Sequence, residues 1–171
     1  MSLQRYKKNS KKASRIFIEE KNDYLCKKES KDMHCLTDYD VKLLVALNES
    51  LQGKKKFTDI FMQAGFPELA ALSAAIHSDT EALQWLLDNG YPEFAVLSNA
   101  IDGEEHAIAW LKKYNLEFLS LFAAACRQED EAIKWFVERD LMVFIMLIRT
   151  IHDVLRFQSW DSSDVHKRRR S

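Results

Sequence analysis

Between Phe66 and Asp140 one pattern of apolar and polar positions is written three times, twenty-five residues apart, with no insertion or deletion. In the first half of each line apolar residues recur three and four apart: Leu69, Leu72 and Ile76, then Phe94, Leu97 and Ile101, then Leu119, Phe122 and Cys126. That spacing is one face of a helix. A second apolar set follows after a short polar stretch, as Leu83, Trp85 and Leu86, then Ile108, Trp110 and Leu111, then Ile133, Trp135 and Phe136. Each line therefore predicts two helices, A and B, with little left over for loops. Pro67 and Pro92 stand at the first position of helix A, where a missing N–H costs nothing. Helix B opens with Ser78-x-x-Glu81 or with the acids Glu104, Glu105, Glu129 and Asp130, which complement the helix dipole. It ends at Gly90, Asn115 and Asp140, residue types that tolerate a left-handed C-cap.

Carried further, the same spacing aligns Trp160 with Trp85, Trp110 and Trp135, and Ile60 with them on the other side. Five units then run from Val41 to Val165. Repetition at a fixed period of about twenty to fifty residues marks an array whose units bury their apolar faces only by stacking. The expected fold is all-α: a solenoid of stacked helical hairpins, with the four tryptophans and Ile60 buried in register inside it. Ala71, Ala74, Ala75, Ala100, Ala124 and Ala125 would let neighbouring A helices approach closely. The fifth unit departs from the pattern. Its helix A, LMVFIMLIRTI, carries Ile145, Met146 and Ile148 where earlier units have mostly Ala and Ser, and its second half thins out to Asp161, Ser162 and Ser163. That extra apolar surface needs a cover, either the N-terminal helix or a second chain.

The flanks read differently. Residues 1–40 do not fit the repeat and are expected to form a basic arm followed by a capping helix from about Lys11 to Lys28, as solenoid ends are atypical. Thr37-x-x-Asp40 has the form of a capping box opening the first unit, whose halves are joined by Gly53 and the solvated run Lys54–Lys56. Residues 166–171 are a basic tail expected to be disordered.

Charge changes the picture more than composition does. The 171-residue chain has a net charge of -1, but Phe66–Asp140 alone holds five Lys and Arg against fourteen Asp and Glu, a net -9, while both flanks are basic. The longest apolar run, Leu141 to Ile148, is far shorter than the ~20 residues that span a bilayer. The N-terminus lacks the apolar core of a signal peptide. Three widely spaced cysteines, Cys26, Cys35 and Cys126, suit reduced thiols, so a cytoplasmic location is expected.

SAAIHSDTEALQWLLDNG and AAACRQEDEAIKWFVERD resemble the helix pair of an ankyrin repeat. The likeness rests on the pairs Ala74–Ala75 and Ala124–Ala125, the acid opening helix B, and Leu86, Leu87, Asp88 and Gly90 at its close. The Thr-Pro-Leu-His signature is absent, and the period is shorter than the usual ~33 residues by the length of the β-hairpin finger. What the resemblance implies is a right-handed, fingerless ankyrin-like array that binds proteins through its concave face, without catalysis.

Candidate chemistry is sparse. A ladder of tryptophans could stack nucleobases, but its place within an apolar helix face reads as core. His34, Cys35, Cys26 and Asp38 lack the paired spacing of a zinc site, and no phosphate loop or nucleophile motif occurs. His77, His106 and His152 read as isolated, solvated side chains. No catalytic, cofactor or metal residues are expected. If helix A lines an inner curve, Ser73, His77, Ser98, Asn99, Asp102, Arg127, Arg149 and His152 form a polar strip open to a partner. The leading expectation is thus a non-catalytic scaffold or adaptor binding another protein that presents basic or mixed polar groups. The alternatives are a nucleic-acid-associated protein using the basic N-terminal and C-terminal segments, and a homodimer subunit joined through the Phe144–Ile148 region.

Overall fold

The computed structural model describes residues 33–164, with side chains through 159. The basic arm, the Lys11–Lys28 helix, Cys26 and the 166–171 tail lie outside the described residues. Those described are all-helical: a single 3-10 turn, Leu36–Asp38, precedes α1 (Val41–Leu51), α2 (Lys56–Ala64), α3 (Pro67–Ile76), α4 (Thr80–Asp88), α5 (Pro92–Ile101), α6 (Glu105–Lys113), α7 (Glu117–Cys126), α8 (Asp130–Glu138) and α9 (Met142–Asp164).

Helix starts and stops follow from single residues. Pro67 and Pro92 occupy the first turns of α3 and α5. The N-caps fall elsewhere than the motifs suggested. Asp40 caps α1 alone, its carboxylate accepting from Lys42 N at 2.8 Å. The reciprocal box belongs to Cys35 and Asp38. Asp79, not Ser78, caps α4 by accepting from the amides of Glu81 and Ala82. Ser78 is left to turn the corner with φ 67°, and Gln128 does the same with φ 65° in the position that Gly53 and Gly103 fill in their units. The B helices close through Gly65, Gly90, Asn115 and Asp140, all at positive φ, as the sequence predicts.

The odd helices form an inner layer. Three columns repeat along it at the twenty-five-residue spacing and are buried in every unit: Leu44, Leu69, Phe94, Leu119 and Phe144; Leu47, Leu72, Leu97, Phe122 and Leu147; Leu51, Ile76, Ile101, Cys126 and Ile151. Each even helix sits outside, packed on its own inner helix and on the next one. Contacts between inner helices run α1 to α3, α3 to α5, α5 to α7 and α7 to α9, and then α9 returns to α1. The Thr150 hydroxyl donates to buried Asn48 Oδ1 at 2.7 Å across that last contact. Five inner helices therefore close on themselves instead of fanning out around an open curve.

Two expectations change with this closure. The fifth unit is one continuous 23-residue helix, not a hairpin. Where the other units place their corner at Gly53, Ser78, Gly103 and Gln128, it has Asp153 followed by the half-buried Val154 and Leu155, and nothing stops the helix. The apolar surface assigned to a homodimer is covered from within the chain: Phe144, Ile145, Leu147 and Ile148 are all buried, on a helix seated against α1 and α7.

The tryptophan column is not the core column. Trp110 is buried, but Trp85 and Trp135 are only half-buried, and Ile60 is 43% exposed. The fully enclosed column stands one residue later, as Phe61, Leu86, Leu111 and Phe136. The outer faces of the half-buried indoles are covered by neighbours, Tyr91 stacking on Trp85 at 6.2 Å and the Arg139 guanidinium lying 4.2 Å from the Trp135 ring. Trp160 falls in the last turns of α9, beyond the described side chains.

Candidate functional site

The eight residues of the predicted polar strip fall into three repeat columns, and the structure separates them. Ser73 and Ser98 share a column with Asn48, Ala123 and Ile148, all of it buried where one inner helix meets the next. Ser73 Oγ accepts from Ser50 Oγ at 2.9 Å, which joins α1 to α3. Neither serine is open to a partner. Arg149 is exposed on α9, away from the others' cavity. His77 is exposed, with its Nδ1 2.8 Å from the carbonyl oxygen of Ser73, and it borders a cavity of about 490 Å³ shared with Thr150, Val154 and the exposed Phe157.

The remaining four converge. Asn99, Asp102, Arg127 and His152 line one cavity of about 530 Å³ at the C-terminal ends of α3, α5 and α7, roofed by the second half of α9. The repeat builds this site, because each inner helix ends in the same column and delivers its closing side chains to the same end of the molecule. The continuous α9 forms a wall with His152, Leu155, Arg156 and Ser159. That wall is fastened by Gln158 Nε2, which donates to the Ile76 carbonyl at 3.2 Å. Asp79, Glu104 and Arg156 add charged groups to the lining, and of these Asp79 and Arg156 were not singled out from sequence. Glu104 reads in sequence as a first-turn acid that complements the helix dipole, and Asp79 carried no reading.

Local bonds decide which charges remain effective. Arg127 donates to the Ala100 carbonyl and, from its NH2 group, to Glu129 Oε1 at 2.6 Å, so its charge is met within the chain. Asn99 is 8% exposed, and its Nδ2 is buried with no hydrogen-bond partner among the described residues. The Cys126 thiol is pushed up from its ordinary 9.0 by burial, against a smaller lowering from Arg127, which makes it an inert part of the floor.

A second polar cluster lies around the N-terminal turns of α3 and α5. Glu93 is 0% exposed and accepts from the His34 backbone N–H at 2.9 Å, with His34 Nδ1 at the same distance from the same oxygen. Tyr39 OH donates to Oε1 of buried Glu68 at 3.0 Å. Burial raises the Tyr39 phenol well above 10.0, and the Glu68 charge and hydrogen bond add to it; Tyr91 is raised by burial and then by Glu68 and Glu93. These bonds hold residues 33–39 across two inner helices. His34 is thus a latch residue; Cys35 and Asp38 are joined to each other by the capping box. Among the described residues no group of three or more His, Cys, Asp or Glu is placed to hold a metal.

Among the described residues the fold and site together define a class: an all-helical stack, compatible with a helical repeat, whose inner helices return on one another and carry a polar cavity at one end. Compared with known proteins, the chain matches no family model, no curated protein and no solved structure.

Proposed function

We propose that the protein is a non-catalytic protein-interaction module, an adaptor or scaffold whose contact face is the cavity end and the acidic rim around it. The helix pairs are read as ankyrin-like repeats without the β-hairpin finger, stacked with right-handed sense and then closed by α9. The observation that carries the reading is the convergence of Asn99, Asp102, Arg127 and His152 with Asp79 and Glu104 around one cavity. A partner presenting basic or mixed polar groups fits the net -9 of the three central repeats. Cys35 and Cys126 are free thiols, which suits a reducing cytoplasm. Among the described residues no helix is long and apolar enough to cross a membrane.

The test is affinity capture with the full chain and with Asp102→Lys plus Glu104→Lys. Partners bound through this face are lost in the double reversal and weaken with salt, while the circular dichroism of the variant stays helical. Capture that is indifferent to the reversal removes the cavity end as the contact face.

A further inference from the structure

Two apolar residues of α1 stand open where the repeat keeps their counterparts covered. Val41 is 59% exposed and Val45 is 42% exposed. In the column of Val41, Phe66, Tyr91, Leu116 and Leu141 are half-buried against the core; in that of Val45, Ala70, Ala95 and Ile145 are buried and Ser120 is half-buried. Part of the cover comes from the outer helix that precedes each inner one: Trp85 of α4 stacks on Tyr91, and Phe136 of α8 lies against Phe144 of α9. Each of α3, α5, α7 and α9 has such a helix just before it in the chain and packs on it. By contrast α1 follows residues 33–39, which cross to α3 and α5, and the straight α9 supplies no outer helix of its own. Among the described residues the outer position at the α9–α1 junction is therefore without a helix.

The chain upstream of Met33 holds a segment of the matching kind. In the repeat register the outer helices align as residues 55–63, 80–88, 105–113 and 130–138. Residues 11–19, KKASRIFIE, follow the pattern of residues 55–63, KKFTDIFMQ, sharing both lysines, the isoleucine and the phenylalanine. Ala13 falls with Ala82, Ala107 and Ala132, and Phe17 with the enclosed column of Phe61, Leu86, Leu111 and Phe136. Ala13, Ile16 and Phe17 are three and four apart, one face of a helix, with Lys11, Arg15 and Glu19 opposite. The connection is long enough: residues 20–32 reach up to ~43 Å when extended, beyond the ~30 Å width of a small domain. A flexible tether of that order holds its segment at an effective concentration of ~1 mM, ahead of a second copy in dilute solution.

We propose that residues 11–19 of the same chain dock as the fifth outer helix on the α9–α1 junction, with Ile16 and Phe17 over Val41 and Val45. The segment completes the outer layer where α9 completes the inner one, and Lys11 and Arg15 face away from the core. Val41 and Val45 lie in the first half of α1, at the other end of the inner layer from the cavity, so this docking does not depend on the contact face argued above.

The experiment is hydrogen exchange of the full chain read by mass spectrometry, alone and with Phe17→Asp, Val45→Asp or Arg15→Asp. A helix this short does not persist alone in water, so protection of the segment reports docking. The amides of residues 15–19 exchange about tenfold or more slowly than those of an unstructured chain. Phe17→Asp and Val45→Asp each remove that protection, while Arg15→Asp, on the outward face, keeps it. Val45 is already partly exposed, and unchanged protection of α5 verifies that its variant is folded. Exchange of residues 15–19 at the unstructured rate in the unaltered chain overturns the proposal. Protection that survives Val45→Asp also overturns it, by placing the segment elsewhere. Sedimentation identifies the source of the helix: a monomer is expected, and a dimer that Phe17→Asp dissociates overturns docking within one chain and gives the position to a second copy.

Discussion

The return of α9 onto α1 is the least expected feature of the fold, and one side-chain pair tests it directly. Thr150 and Asn48 are 102 residues apart in sequence, and the Thr150 hydroxyl donates to Asn48 Oδ1 at 2.7 Å. Asn48 is only 3% exposed, so Thr150→Val strips a buried acceptor of its donor while nearly preserving shape. Leaving such a group unsatisfied costs about 1–3 kcal/mol. Asn48→Leu removes the acceptor and leaves a half-buried hydroxyl that can turn to a carbonyl one helical turn back, at a smaller cost. Replacing both partners by apolar groups is far less harmful than the sum of the single changes. The double-mutant cycle, read by urea denaturation followed at 222 nm, is therefore expected to give a coupling of about 1 kcal/mol or more. Sites at opposite ends of an open array share no contact and add within ~0.5 kcal/mol. Additivity of these two changes would refute the closure. Hydrogen exchange gives an independent readout: Thr150→Val lowers protection in α1 and α9 together if the two helices open as one unit.

Three further outcomes follow from packing and protonation. Phe136 is 0% exposed among Phe118, Phe122 and Phe144, so Phe136→Ala costs about 3–5 kcal/mol. Trp135→Ala, which loses a half-buried ring and an Arg139 contact, costs less in the same denaturation assay; the reverse order would put the core back on the tryptophan column. Gln128 holds φ 65°, a left-handed conformation that strains a side-chain-bearing residue, so Gln128→Gly raises stability by up to about 1 kcal/mol, seen as a higher denaturation midpoint. Cys126 and Tyr39 both hold their protons more tightly folded than unfolded. Stability is then full below their ordinary values of 9.0 and 10.0 and is lost as pH rises above them. The buried thiol sets a slope of up to about 1.4 kcal/mol per pH unit from pH 9 upward. Tyr39→Phe flattens the additional loss above pH 10, and an unchanged slope in that variant counts against the Glu68 pairing.

The local structure was legible in the sequence because it depends on residues close together. Helix periodicity, the proline starts, the left-handed stops at Gly90, Asn115 and Asp140 and the three inner core columns all appear where the spacing predicts them. Closure was not legible, since it depends on the angle between successive units, which no twenty-five-residue window encodes. One sign of it was present: Ile145 and Ile148 replace the small residues of earlier units, and they are bulky because α9 meets α1 as well as α7. The tryptophans misled because their size suggested the deepest position, whereas a large ring packs well at the edge, half-covered by Tyr91 or Arg139. Glu68 and Glu93 were not singled out in the sequence. Their column otherwise holds Leu43, Phe118 and Val143, and a carboxylate in an apolar column is the signal that was available.

The two ends of the inner layer use the same repeat to opposite effect. At the helix N-termini the acids Glu68 and Glu93 are buried, and each accepts from a residue of the 33–39 segment, so that end is sealed by the chain itself. At the C-termini the acids Asp79, Asp102 and Glu104 stand around a cavity of about 530 Å³ with a buried donor on its wall that no described residue satisfies. A repeat that only stacked would have no reason to treat its ends differently, because every unit presents both. The asymmetry comes from the departures from repetition: Asn99 between the alanines of the units before and after it, two glutamates in an apolar column, and an α9 that fails to turn. The first and third of these meet at the cavity, and both of those columns can be reset without touching the core. Asn99→Ala copies Ala74 and Ala124 of the adjoining units at a position that already lies at the core's edge. A variant carrying glycine at Asp153, the corner column, tests whether the straight α9 is needed to wall the site: a helix that breaks there moves Leu155, Arg156 and Ser159 away from Asp102 and lowers partner capture through the cavity end while leaving the α1 contact at Thr150 intact.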